Sequence, residues 1–235
     1  MTQIDPIHLK IKHPANVLIA GATGCGKTTF VRKILRDYDV FTTIDTPRLR
    51  VLWCHGQQQH IHSDTISPFV DVTYYVGLPT TDIIQEHNPH VLVLDDLMIE
   101  ASKGTAVLSI LTRFTHHNSI TVFLLTQNIF YNSTKTRDLN SQAHYTILYR
   151  NSRDKSISTT LARQLCPHNK RHFVSSFADA TRNPFSYLII DCHPTTPDEF
   201  LLRTNLNSNS NFFESDIYLE NDSTVRKFKT MSNSF

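Results

Sequence analysis

Gly21-Ala22-Thr23-Gly24-Cys25-Gly26-Lys27-Thr28 is the stretch around which this 235-residue chain is organised. It satisfies G-x-x-x-x-G-K-[ST] at every specified position, with the apolar run Val17-Leu18-Ile19-Ala20 before it and an amphipathic run after it. A buried strand, a glycine-rich loop and a helix, in that order, are the context that makes this pattern a phosphate-binding loop. Glycines at 21, 24 and 26 open backbone conformations closed to residues with a Cβ, so successive N–H groups can converge on phosphate oxygens. The helix N-terminus adds partial positive charge at the same place. Residues Gly21, Ala22, Thr23, Gly24, Cys25, Gly26, Lys27, Thr28 and Thr29 are therefore the expected nucleotide-binding set. Lys27 would reach the β- and γ-phosphates, and the Thr28 hydroxyl would sit on Mg²⁺. ATP is the expected ligand.

Length and composition fit one sizeable α/β domain with a small appendage. Hydrophobic residues make up 40% and charged residues 19%, an ordinary globular balance. No apolar run approaches the roughly 20 residues a membrane helix needs, and MTQIDPIHLK lacks a signal peptide's apolar core. No membrane partner is expected. The four cysteines, at 25, 54, 166 and 192, show no C-x-x-C spacing, and one lies in the phosphate loop. An intracellular, non-secreted setting follows as the expectation. A net charge of +2 is too mild to argue for nucleic acid by itself.

Downstream, Val91-Leu92-Val93-Leu94-Asp95-Asp96 reads as a central parallel strand that ends in two carboxylates. Asp95 is the expected Mg²⁺ ligand, and Asp96 the group that orients and deprotonates the attacking water. Glu100 is a weaker candidate for that base. A helix over 103–114 leads to Ile120–Leu125, a strand ending in Thr126-Gln127-Asn128. Polar groups at a carboxyl strand end beside the phosphate-loop strand sit where ligands bind in open α/β sheets. Gln127 is thus a candidate for the γ-phosphate or the lytic water. Further strands are expected at Arg50–Cys54, Val70–Val76, Tyr145–Tyr149 and Tyr187–Asp191. One helix buries Ile157, Leu161 and Leu165, and another Phe173, Val174 and Phe177. Residues 150–171 carry Arg150, Arg153, Lys155, Arg163, Lys170 and Arg171 against Asp154 alone. Such a cluster is either a solvated face or a phosphate and subunit contact. His55, His60 and His62 lie near Cys54, and His116 adjoins His117, without zinc-site spacing. The expected organisation is a lead-in over 1–14, the core domain over 15–203 and an Asn/Ser-rich, loosely attached tail over 204–235. One ordered stretch is expected in that tail, around Phe212–Leu219.

Gly21–Thr28, Val91–Asp96, the Thr115-His116-His117 step, Leu125–Asn128, Arg150–Lys155 and Leu161–Leu165 together resemble the viral DNA-packaging ATPases of the FtsK–HerA superfamily. The similarity is to the polinton and adintovirus type, with the poxvirus enzymes more distant, and spans roughly residues 15–203. It implies a P-loop NTPase of the ASCE/RecA-like kind, an α/β fold with a mostly parallel sheet and an additional strand between the phosphate-loop and acid-bearing strands. It also implies a ring homo-oligomer, double-stranded DNA as a non-sequence-specific partner, capsid or portal proteins as further partners, and action in the host nucleus or at a viral assembly site, including association with the virion. Gln127 would be the γ-phosphate sensor, and an arginine would act across the subunit interface. Arg137, Arg150 and Arg153 are the candidates, with Arg153 favoured. The chain departs from the family at Asp96, where glutamate is commoner, and at Asn118, where arginine is frequent.

Other functions share parts of this site. A helicase-like DNA pump in replication or recombination needs the same residues. A P-loop small-molecule kinase would need an arginine-bearing lid and an acceptor pocket, whereas Asp95-Asp96 with Gln127 favours water as acceptor. A scaffold that binds ATP without turnover would not need both acids.

Overall fold

The computed structural model describes residues 9–56, 65–97, 110, 119–127, 129, 141–154, 156–209, 212–219 and 225–231. The elements in chain order begin with β1 (Asn16–Ala20), α1 (Lys27–Arg36), α2 (Tyr38–Phe41), β2 (Leu49–His55), β3 (Val70–Val76) and α3 (Thr81–His87). They continue with β4 (Val91–Asp95), β5 (Thr121–Thr126), β6 (Tyr145–Tyr149), α4 (Ile157–Leu165), α5 (Lys170–Ala180) and β7 (Tyr187–Asp191). A 3₁₀ turn (Asp198–Phe200) then leads to β8 (Leu202–Asn209), β9 (Phe212–Tyr218) and β10 (Val225–Met231).

All ten strands form one sheet in the order β10-β9-β8-β7-β6-β1-β5-β4-β2-β3. The six from β3 to β6 run parallel, and the pairings from β6 outward to β10 are antiparallel. The chain therefore has the α/β P-loop NTPase fold. The additional strand is present: β5 lies between β1, which feeds the phosphate loop, and β4, which carries the acids. Purely apolar runs such as Val91–Leu94 are what a strand covered on both faces requires, and all four side chains have no exposure. Each contributes about 1.5–3 kcal/mol of burial.

Two apolar clusters face opposite sides of the sheet. One contains Val17, Ile19, Phe30, Val31, Ile34, Leu35, Val91, Val93 and Phe123. The other contains Leu18, Leu92, Leu94, Val122, Leu124, Ile157, Leu161 and Phe173. Alternate residues of β1 and β4 thus serve opposite layers, as the two-residue strand period dictates. Leu165, expected to face inward, is one of the exposed large hydrophobics, and so is Val76 at the edge strand. The first closes a short helix and the second ends an edge strand, where the sheet no longer covers them.

The expectation of a loosely attached tail is corrected by the structure. The boundary at 203/204 cuts through β8, and β8, β9 and β10 extend the sheet as an antiparallel meander. Its anchor is polar. Arg203 and Asp191 form an ion pair with essentially no exposure, and an Arg203 amine donates to the Leu9 carbonyl at 2.6 Å. Thr204 Oγ1 donates to the Tyr187 carbonyl (2.6 Å), Ser215 Oγ to the Thr204 carbonyl (3.1 Å), and the Tyr218 hydroxyl to Asp179 (2.9 Å). Lys33 on α1 donates to Asn207 Oδ1 at 2.9 Å, joining the meander to the phosphate-loop helix. The expected ordered stretch does coincide with β9. The described end of the lead-in is also held, since Leu9 and Ile11 are buried and Ile11 bridges to Thr42. Among the described residues no helix is long and apolar enough to cross a membrane.

Candidate nucleotide site

The phosphate loop leaves β1 at its carboxyl end, where the Gly21 N–H donates to the Thr126 carbonyl of β5 at 3.2 Å. Gly24 and Gly26 take φ of +78° and +103°, the left-handed region in which a Cβ is strained. Gly21 is required for a different reason. A Cβ there would lie 2.6 Å from Tyr149 Cβ and 2.7 Å from Cys25 Sγ. The helix opens at Lys27 with Gly26 as its N-cap and no side-chain cap, which leaves its first N–H groups free to serve an anion. Burial raises the Cys25 thiol pKa against the lowering effect of Lys27, so this cysteine stays a neutral thiol in the loop.

The loop, α1 and the ends of β4, β6 and β7 enclose a cavity of about 580 Å³. Thr23, Gly24, Gly26, Lys27, Thr28, Thr29, Asp95 and Asp96 line one part of it, and Tyr149, Phe185 and Tyr187 another. Lys27 Nζ donates to the carbonyls of Gly21 (2.7 Å) and Ala22 (3.1 Å), closing the loop on itself. The Thr28 hydroxyl faces Asp95 Oδ2 at 3.4 Å. These are two oxygen donors at the base of the loop, and an all-oxygen set of this kind fits a hard divalent cation such as Mg²⁺. Asp95 is 7% exposed. Burial raises its pKa above the ordinary carboxylate value; the Trp53 hydrogen bond lowers it, neighbouring Asp96 raises it, and Lys27 and Thr28 lower it. A cation placed between Thr28 and Asp95 would relieve that burial.

Asp96 sits just past β4 at φ +56°, with its N–H donating to the Leu125 carbonyl at 3.3 Å. Non-glycine residues held in this region are uncommon and concentrate at functional turns. Its Oδ2 accepts a hydrogen bond of 2.9 Å from Gln127 Nε2. The two residues assigned to the water and the γ-phosphate are thus partners, because β5 adjoins β4 and both strands end at the same level. Asp95 pairs in register with Leu125.

Arg153 is exposed on the turn after β6, where its backbone N–H donates to Asn151 Oδ1 at 3.0 Å, and it does not line the cavity. Arg150 lines a second groove on the other side of the loop, with Thr23, Gly24, Cys25, Ser152, Arg182 and Phe185. Arg137, Glu100, Lys155, His60, His62, His116, His117, Asn118, Asn128 and the 103–114 helix lie outside the described residues, apart from Ile110, which is helical and buried. Among the described residues no cluster of His, Cys, Asp or Glu could hold a metal ion by itself. His55 is buried, with its Nδ1 2.8 Å from the Gly56 carbonyl. Sequence reasoning missed the aromatic lining from Tyr149, Phe185 and Tyr187. The first and third read as core-strand residues, and the second carries no motif.

Fold and site together define a P-loop NTPase framework with the additional strand in place. No protein-family model matches the chain, and no curated protein matches it by sequence. Among solved structures, the chain is similar to the genome packaging NTPase B204 from Sulfolobus turreted icosahedral virus 2 in complex with ATP-gammaS. The identity is 12% and the TM-score 0.44, with 97% of this chain and 100% of that chain covered. A likeness so distant transfers no residue role.

Proposed function

We propose that the chain is an Mg²⁺-dependent ATPase that works as a motor on double-stranded DNA, packaging a viral genome as a ring of identical subunits. The observation that supports hydrolysis best is the convergence of Lys27, Thr28, Asp95 and Asp96 on one cavity, with Gln127 hydrogen-bonded to Asp96. Bound Mg²⁺ would supply charge neutralisation at the β- and γ-phosphates, held by Thr28 and Asp95. The chain's own groups supply the rest. Backbone N–H groups of the loop orient the triphosphate. Lys27 leaves the Gly21 and Ala22 carbonyls to bind phosphate oxygens, and Asp96 accepts the proton of the attacking water. In this arrangement phosphoryl transfer depends on positioning and charge, with little covalent work for the protein.

The Asp96–Gln127 hydrogen bond holds the two side chains together at the strand ends. The bond occupies one carboxylate oxygen and one amide N–H, leaving Asp96 Oδ1 to accept from water and the rest of the Gln127 amide to meet the γ-phosphate. An exposed arginine outside its own cavity, as Arg153 is, suits donation to a neighbouring subunit's site. A rate gain of roughly 10³–10⁵ from such a residue would couple successive sites. The DNA and capsid roles rest on the motif resemblance over 15–203. Phosphate contacts that position without specifying suit a motor indifferent to base sequence. The experiment is ATP turnover by the purified chain with and without double-stranded DNA, beside Lys27→Ala. DNA-stimulated turnover that vanishes in the variant supports the motor. A rate indifferent to DNA removes DNA as the activating partner.

A further inference from the structure

Phe185 is 70% exposed, yet its backbone is held at φ +63°, a conformation unfavourable for a residue with a Cβ. The turn that holds it is closed by Ser186, whose N–H and hydroxyl both donate to the Asn183 carbonyl, at 3.3 and 2.6 Å. The ring reaches back over the phosphate loop, and its Cδ1 would stand 3.6 Å from a Cβ built on Gly26. Below it the aromatic neighbours are already engaged. Tyr187 meets Phe30 edge-on at 4.8 Å between centroids and Tyr149 at 5.5 Å. Tyr149 and Phe30 are buried. Phe185 is therefore the aromatic ring of the cavity that keeps a large exposed surface. It lies beside both the 580 Å³ cavity and the groove behind the loop.

We infer that Phe185 is the platform on which the base of a nucleoside triphosphate stacks, so that Gly24–Thr28 hold its phosphates and this ring holds its other end. The assignment rests on the phosphate-loop reading of the cavity and adds the base subsite to it. An apolar ring at the rim, in a strained turn that fixes its position, gives base affinity without base-edge hydrogen bonds. Stacking on such a ring tolerates different bases. Lys33, which also lines the cavity, is committed to Asn207 and so is not a free base-edge donor.

The test compares binding of ATPγS and of inorganic tripolyphosphate, each with Mg²⁺, to the full chain and to Phe185→Ala and Phe185→Trp. Tripolyphosphate lacks the base, so it reads the phosphate loop alone. The expected result is ATPγS affinity roughly 5- to 100-fold weaker in Phe185→Ala, unchanged tripolyphosphate affinity, and recovery of ATPγS binding in Phe185→Trp. Equal weakening of both ligands in Phe185→Ala would overturn the proposal by making the ring a support for Gly26. Unchanged ATPγS affinity would also overturn it and assign the exposed ring to a protein contact. Failure of the unmodified chain to bind either ligand would remove the phosphate-loop reading and this proposal with it.

Discussion

From β3 to β6 the strands run parallel, and the inner ones bury apolar side chains on both faces; from β7 to β10 they run antiparallel and bury Asp191, Arg203, Thr204, Ser215 and Asp216. The first half buries Asn16 and Thr121 at amino strand ends and sets Asp95, Asp96 and Gln127 at carboxyl ends on the phosphate-loop side. The second half spends its polar groups on internal pairing. That pairing offsets the cost of burying charge, although Arg203 keeps a buried Nε with no partner. The two halves meet at the Tyr149–Tyr187 pair, in register across β6 and β7 beside the cavity. The parallel half would therefore fail in chemistry when altered, and the antiparallel half in stability.

The largest expected effect falls in the parallel half. Lys27→Ala should lower ATP turnover by roughly 10²–10³-fold or more while leaving the thermal midpoint within a few degrees, as steady-state kinetics and calorimetry would show. Arg203→Ala should do the reverse. It strands Asp191 in the core and should lower unfolding stability by about 3–5 kcal/mol, measured by urea titration, with ATP affinity per folded molecule retained. Gly21→Ala lies at the junction, because its new Cβ would meet Tyr149 Cβ at 2.6 Å. It should lose about 1–3 kcal/mol of stability and weaken nucleotide binding together, which neither half alone would predict.

The smallest expected effect on stability concerns Asp95. Its folded pKa is raised, mainly by burial. Its protonated form is therefore the one the metal-free fold favours; that contribution is full below the unfolded value and is lost as pH rises through the raised folded one. At neutral pH the ionised acid works against the fold, so Asp95→Asn should stabilise the metal-free protein. The same substitution should abolish Mg²⁺-dependent nucleotide binding. In the unmodified chain, Mg²⁺ affinity should begin to fall at a higher pH than for an ordinary aspartate as the solution is acidified. Chemical denaturation at two pH values and Mg²⁺ titration would check each part.

These contrasts follow from what each kind of residue shows before it is folded. The phosphate loop is legible because its glycines and its Lys-Thr step are demanded at fixed spacing by phosphate geometry. Asp95-Asp96 is legible because four apolar residues in a row before two acids have few other uses. The strand between β1 and β4 came with the family resemblance and is present as β5. The meander was not legible, because its anchors Arg203, Thr204 and Ser215 are residue types that read as surface. The exposed Asn205 and Asn207 add to that polar reading. A register shift between Thr204 and Asn207 sends Leu202 and Leu206 to opposite apolar clusters, so no two-residue period marks the strand. Phe185 was hidden for a different reason. An aromatic after Asn-Pro in a turn carries no motif, and its role depends on a fold that brings residue 185 against residue 26.

The most direct test of the central claim is to measure Mg²⁺-ATP binding and single-turnover hydrolysis in the unmodified chain and in Asp96→Asn. Binding within about 3-fold of the unmodified chain, with hydrolysis slowed by roughly 10²–10⁴-fold, is the result expected if Asp96 takes the proton of the attacking water. Hydrolysis at the unmodified rate in Asp96→Asn, or no hydrolysis by either protein under any nucleotide and DNA condition, would contradict it.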